Sequence, residues 1–239
     1  MPTHLPPNSC LLIIDMQYDF LPPNGSLAVP DGDSIVPKIR RLISENSKEF
    51  DLIVFTQDYH PQNHISFASN HKNAKPFEKI DYERPNTTGS GTAFSSALEQ
   101  TKKKEEDKPT TINSTLWPDH CVQDTRGSEI EESLLSTANT NVPYKLKFVK
   151  KGVLADREYY SCFNDIWNDH HTELNETLKN AGIKHVYCCG LALDYCVFNS
   201  ALSSSKLGYQ TFIVKNMTAA IDQSWELEKM NTNISYVEL

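Results

Sequence analysis

Apolar residues along this chain follow two alternating periods. Short unbroken runs recur as CLLIID (10 to 15), DLIVFT (51 to 56), KLKFVKKG (145 to 152), HVYCCG (185 to 190) and TFIVKN (211 to 216). Runs of this length, bounded by turn residues, suit strands buried on both faces. A last run, ISYVEL (234 to 239), offers one more strand. Between the runs the spacing lengthens. Ile35, Ile39, Leu42 and Ile43 repeat at helical intervals behind Asp33 and Ser34, residue types that suit an N-cap. Similar patterns cover 164 to 181 and 195 to 207, stopped by Gly182 and Gly208. Strand, helix, strand in succession predicts right-handed crossovers. The expected architecture is α/β and three-layered, a mostly parallel sheet with helices on both faces.

The segment from about 61 to 144 departs from this alternation. It is rich in Pro, Asn, His and Thr and reads as a loop-rich excursion on the sheet, so residues 1–239 are expected to form a single domain. Its charge run KKKEED (102 to 107) reads as a solvated face.

In open parallel sheets, ligands bind beyond the carboxyl ends of the strands, so polar residues there carry the most weight. The first run ends in Asp15, the second continues into Asp58 and His60, the third ends in Lys150 and Lys151, and the fourth breaks at Gly190 and leads to Cys196. A cysteine alone in such a place is ordinarily a small core residue. At the start of a helix, however, the dipole and free amides are expected to lower its pKa. With Asp15 as proton acceptor and a lysine as cation, Cys196 becomes a candidate nucleophile. Adjacent strand residues face opposite ways, so only one of Lys150 and Lys151 can serve, and spacing does not say which. Asp58 and His60, one residue apart, can chelate a divalent ion, with His120 in LWPDHCVQD as third ligand. Oxygen and imidazole donors suit zinc and leave iron, manganese and magnesium open. His64, His71, His170 and His171 read as hydrogen-bonded loop histidines, and Cys121 as structural.

Charge and composition narrow the partners. A formal net charge of -8 leaves no basic footprint, which argues against nucleic acid and anionic membrane and toward a small-molecule partner. No run approaches the roughly 18 apolar residues of a membrane span, and the amino-terminal stretch lacks a secretory pattern. A soluble, unsecreted chain with reduced cysteines is expected, cytoplasmic by default, with nuclear or peroxisomal access left open. The C-terminal VEL is not the peroxisomal Ser-Lys-Leu address. A dinucleotide site is excluded because MQYDFLPPNG, not a glycine-rich turn, follows the first strand.

The runs IIDMQYDF, TQDYHPQNHISFASNH, LWPDHCVQDTRGSE, KKGVLADREYYSCF and GLALDYCV resemble the nicotinamidases among the isochorismatase-like cysteine hydrolases, the fungal NAD-salvage enzymes most of all. The resemblance spans about residues 10 to 216 in constant order. It implies a catalytic set of Asp15, Lys151 and Cys196, which selects between the two lysines, and metal ligands Asp58, His60 and His120, usually holding Zn2+. It further implies a cis peptide between Leu191 and Ala192, with the amides of Ala192 and Cys196 forming an oxyanion hole. Phe20 and Trp117 would wall the substrate pocket, with Tyr160, Tyr195 and Leu191 nearby and Glu158 close to the metal. The implied reaction is hydrolysis of nicotinamide to nicotinate and ammonia through a cysteine thioester, without a nucleotide cofactor; cleavage of pyrazinamide and a homo-oligomer are left open. Two other readings share the fold: a different isochorismatase-like amidase, which need not keep the metal set, and a non-catalytic metal-binding scaffold, which could lose the nucleophile.

Overall fold

The computed structural model describes residues 4–85, 109–226, 230 and 232–239. The KKKEED run and most of the stretch around it lie outside these residues. Six strands form one parallel sheet: β1 (Ser9–Ile14), β2 (Leu52–Asp58), β5 (Leu146–Lys151), β6 (His185–Leu191), β7 (Gln210–Ala219) and β8 (Ser235–Val237). Their spatial order is β5-β2-β1-β6-β7-β8. The chain first builds outward from β1 through β2 to β5. It then returns to the other side of β1 and builds outward again, so the order reverses between β1 and β6. That reversal opens a crevice at the carboxyl ends of β1 and β6, the usual ligand position in such sheets.

Alternation along the strands sorts side chains into two cores. Leu11, Ile13, Ile53, Phe55, Tyr187, Cys189 and Val214 face helices α1 (Val36–Asn46) and α2 (Glu132–Asn141), meeting Ile39, Leu42, Ile43, Leu134 and Ala138. Cys10, Leu12, Ile14, Val54, Val186, Cys188 and Ile213 face the opposite side. There α3 (Leu174–Asn180) and α4 (Phe198–Lys206) supply Leu174, Leu178, Phe198 and Ala201. All six residues of β1 are buried, as its unbroken apolar run requires. The expected three-layer arrangement is therefore present, and all five pairings in this sheet are parallel.

Several local expectations are corrected. No side chain caps α1: Asp33 and Ser34 lie in a 3-10 turn (Gly32–Ile35), and the Ser34 hydroxyl donates to the Asp31 carbonyl instead. The helical pattern over 164 to 181 yields only α3. Upstream, the Asp165 carboxylate accepts from the Asp169 amide and Asn168 sits at φ 57, so local polar side chains hold the backbone in turns. The 61 to 144 stretch contains structure that its polar composition concealed. An antiparallel hairpin pairs β3 (Lys79–Glu83) with β4 (Thr111–Thr115), and α2 is capped by the Glu131 carboxylate on the Leu134 amide at 2.9 Å. No helix among the described residues is long and apolar enough to cross a membrane.

Candidate active site

The geometry of the crevice begins with backbone. β1 ends at Ile14, whose carbonyl lies so close to Gly190 that a Cβ there would sit 2.0 Å away; Gly190 has φ 109, a conformation open chiefly to glycine. The register of β6 against β7 shifts at this point, between Cys188 and Gly190. Asp15, next after β1, has φ 50. Its carboxylate Oδ1 accepts from the Thr56 hydroxyl at 2.6 Å, and its amide donates to the same hydroxyl at 3.2 Å. Thr56 thus pins Asp15 from the neighbouring strand.

Lys151 is the last residue of β5 and is fully buried, whereas Lys150 is exposed with its ammonium 3.4 Å from the centre of the Tyr59 ring. Alternation therefore separates the two lysines as expected. Lys151 Nζ lies 2.9 Å from Asp15 Oδ2, 2.5 Å from Asp58 Oδ1, 3.3 Å from Cys196 Sγ and 3.1 Å from the Tyr159 carbonyl. Asp15 Oδ2 finds no well-aligned hydrogen bond, so its contact with the ammonium is an ion pair by distance. A buried cation is retained because two carboxylates face it. Burial works against the charge, but Asp15 and Asp58 raise the Lys151 pKa well above its ordinary value.

After Leu191 a cis peptide leads to Ala192, and residues Leu193–Val197 form a single π-helical turn ahead of α4. The Ala192 carbonyl accepts from the amides of Tyr195 and Val197. Cys196 lies in this turn, 8 % exposed. The expected lowering of its pKa is not found. Burial pushes the thiol well up, and Asp15 and Asp58 add to the rise against Lys151. Beside it lies Asp15, whose own pKa is raised by burial and drawn back by Lys151.

Asp58, His60 and His120 form a second cluster, with one ligand atom from each lying within 4.8 Å of the others. His60 Nδ1 pairs with the Gly152 carbonyl at 3.0 Å and His120 Nδ1 with the Pro118 carbonyl at 2.7 Å. A carbonyl can only accept, so each Nδ1 carries the proton and each Nε2 presents a lone pair. These Nε2 atoms lie 3.7 Å and 4.0 Å from the Asp58 oxygens. His60 Nε2 is buried and has no hydrogen-bond partner. Two imidazole lone pairs and a carboxylate, one of them orphaned in the interior, fit a divalent cation. For Asp58, burial works to raise the pKa, but Lys151 and His60 outweigh it and hold the carboxyl well below the usual range. Gly152 completes the clamp: at φ 68, a Cβ would lie 2.2 Å from the His60 ring.

A narrow cavity above both clusters is lined by Phe20, Asp58, Trp117, His120, Glu158, Tyr160, Ala192, Tyr195 and Cys196. Trp117 stands edge-on to Tyr195, with ring centres 4.8 Å apart, and Tyr160 OH shares a 2.7 Å hydrogen bond with Ser114 of β4. Glu158 accepts from the Tyr159 amide at 2.7 Å, and burial raises its pKa. Leu191 stands apart from the cavity: its side chain is buried in the core shared with α1. Asp15 and Lys151 lie beneath the cavity rather than along its wall. His64 is buried, with Nδ1 at 2.7 Å from Ser66 and Nε2 at 3.0 Å from the Arg157 carbonyl, a hydrogen-bonded loop histidine as expected.

Sequence reasoning missed the residues that brace these groups. Gln17, fully buried, donates to the carbonyls of Asp58 and Ser128 and accepts from the Asp58 amide at 2.8 Å. Asp19 accepts from the Cys121 amide at 2.7 Å and so sets the backbone beside His120. Both belong to IIDMQYDF, where polar residues directly after an apolar run were the available signal.

The isochorismatase domain model matches residues 9–237. The nicotinamidase of Saccharomyces cerevisiae is 37% identical over 217 residues, covering 91% of this chain and 90% of its own. The crystal structure of the yeast nicotinamidase bound to the inhibitor nicotinaldehyde superposes with a TM-score of 0.82 at 34% identity, covering 97% of this chain and 100% of that one. A pyrazinamidase of Pyrococcus horikoshii in complex with zinc gives a TM-score of 0.66 at 31% identity, covering 98% of this chain and 100% of its own. The chain belongs to the isochorismatase-domain family and, within it, to the nicotinamidases.

Proposed function

We propose that this protein hydrolyses nicotinamide to nicotinate and ammonia in NAD salvage, with Asp15, Lys151 and Cys196 as catalytic residues. The observation that carries the reading is the joining of two clusters under one aromatic cavity: a thiol with an acceptor and a cation, and a carboxylate with two imidazole lone pairs. The first cluster suits attack on a carboxamide. The second suits a pyridine nitrogen presented to a metal ion.

Asp58, His60 and His120 would hold the ion, which we assign as Zn2+ on the donor set. When bound, it supplies a Lewis-acid anchor for the ring nitrogen of the substrate. Phe20 and Trp117 sandwich the ring, with Tyr160, Tyr195 and Glu158 around it. Asp15 takes the proton of the Cys196 thiol as sulfur bonds to the carboxamide carbon. The amides of Ala192 and Cys196 hold the resulting oxyanion. Asp15 then returns the proton to the nitrogen, the C–N bond breaks and ammonia leaves, with a thioester on Cys196. A water gives a proton to Asp15 and adds to the thioester, the C–S bond breaks as Asp15 returns that proton to sulfur, and the nicotinic acid formed loses its carboxyl proton to solvent and leaves as nicotinate. Lys151 stays cationic throughout and offsets the charge on Asp15 and sulfur. Pyrazinamide offers the same ring nitrogen and carboxamide and is a second substrate. A cytoplasmic location accords with the salvage role.

The test is ammonia release from nicotinamide by the purified protein beside Cys196→Ala, with metal content determined on both. Release abolished by the substitution, with about one ion per chain, supports the reading. No release from metal-loaded protein moves the assignment to another carboxamide.

A further inference from the structure

The turn that carries Cys196 is tied to the far wall of the cavity through one carboxylate. Asp194 is half-buried and lies two residues before the nucleophile. Oδ1 accepts from the Ile221 amide at 3.0 Å and Oδ2 from the Asp222 amide at 2.8 Å. Both amides lie just past the end of β7, where the ladder to β6 finishes at Leu191 and Ala219. Beyond that pair no sheet hydrogen bond holds the strand, yet Ile221 lines the cavity with Phe20, Trp117 and Tyr195. Asp222 in turn accepts from the Ser224 amide at 2.9 Å and its hydroxyl at 2.6 Å, which closes the segment into a compact turn.

We infer that Asp194 is a positioning residue that sets the width of the substrate slot by clamping Ile221 against the Tyr195–Cys196 turn. A carboxylate that accepts two successive amides fixes both the position and the orientation of that backbone, and a charged acceptor makes each bond stronger than a neutral one would. Ile221 then stands at a set distance from the aromatic walls. Loss of the clamp frees the segment after Ala219, the slot widens, and the ring is held less closely. The Asp194 carboxylate bonds to the Ile221 and Asp222 amides and not to the thiol or the metal cluster, so the chemical step is left largely intact.

The inference rests on the nicotinamidase reading, and wild-type turnover of nicotinamide separates the two: if it is absent, the reading fails first. With turnover present, Asp194→Ala is expected to raise KM for nicotinamide about tenfold with kcat within about threefold. It should also narrow the preference for nicotinamide over its ring-methylated analogue. Asp194→Asn keeps one acceptor and should give an intermediate shift, which preserves the test should the alanine variant fold poorly. Ile221→Ala should reproduce the loss of preference. The double variant should add little to either single change, because both act through one contact. A fall in kcat at constant KM and constant preference would show that Asp194 only supports the nucleophile turn, and would overturn the proposal. So would full additivity of the two substitutions.

Discussion

The floor and the roof of the cavity are built on different principles. The floor stands on strand ends: Asp15 after β1, Asp58 closing β2, Lys151 closing β5 and Cys196 after β6. Parallel ladders lead to Asp15, Asp58 and Lys151 and a π-helical turn carries Cys196, with the Lys151 ammonium 2.9 Å from Asp15, 2.5 Å from Asp58 and 3.3 Å from the Cys196 sulfur. The roof comes from irregular backbone. Trp117 follows the β3–β4 hairpin, Tyr160 sits in the loop after β5, and Ile221 hangs beyond the end of β7. These are joined by single hydrogen bonds and edge-on ring contacts. Chemistry that needs fixed atoms is thus placed on the sheet, and recognition that must admit a ring is placed on loops.

Substitutions should separate the two regions by size and kind of effect. Cys196→Ala should lower kcat by about 10⁴-fold or more while ligand binding survives. Retention of turnover in that variant would break the assignment of the floor. Gly152→Ala drives a Cβ toward the His60 ring at a position with φ 68, and metal affinity should fall about 10- to 100-fold, read by competition with a chelator. Trp117→Ala removes a roof ring, and KM should rise about tenfold with kcat changed far less. An equal fall in kcat would show that the roof also takes part in the chemistry.

A pH experiment also probes the floor. Burial lowers the pKa of His120 to about 3, with His60 adding to the fall, and burial likewise holds His64 well below its ordinary value. For His60, burial lowers the pKa but Asp58 outweighs it, leaving the group raised and opposed to the other two. Below about pH 6.5 His120 and His64 bind more protons in the unfolded chain than in the native one, so their contribution to stability should fall as pH drops toward 3, while Asp15 and Glu158, raised by burial, act in the opposite sense. Each neutral imidazole contributes a slope of about 1.4 kcal/mol per pH unit in that window. Thermal melts of the metal-free protein between about pH 7 and about pH 4 should decline less steeply in His64→Gln than in the wild type, and identical profiles would contradict a buried neutral His64. The smallest effect belongs to the roof. Tyr160→Phe deletes the 2.7 Å bond to Ser114 and should cost about 1 kcal/mol in chemical denaturation, with KM changed less than about threefold.

How much was legible depended on whether a residue's role is local. The apolar runs predicted five strands of the sheet, and ISYVEL the sixth; β1, β2 and β6 are buried on both faces as their runs require, whereas the edge strands β5 and β8 are largely exposed or half-buried. The polar residues closing those runs pointed to Asp15, to Asp58 and to the pair Lys150 and Lys151, between which the pattern did not choose, and the helix start after the fourth run pointed to Cys196. Helix α2 escaped notice because ESLLSTANTN carries few apolar residues, and its place is secured by packing on α1 and by the Glu131 cap. The Cys196 thiol is pushed up by its own burial, with Asp15 and Asp58 adding to the rise, and a helix start is visible in a sequence while that burial is not.

The sequence by itself determined the fold class, the parallel order of layers and the set of residues brought to the crevice, because hydrophobic period and strand-end polarity are properties of neighbours in the chain. Only the tertiary structure decided that Thr56 braces Asp15, that Gln17 clamps Asp58, that Leu191 turns into the core and that Asp194 reaches Ile221. Those contacts join residues far apart in the chain, 41 positions for Thr56 and Asp15 and more for Leu191 and α1, and their geometry is set by how the sheet stacks and twists rather than by any local pattern.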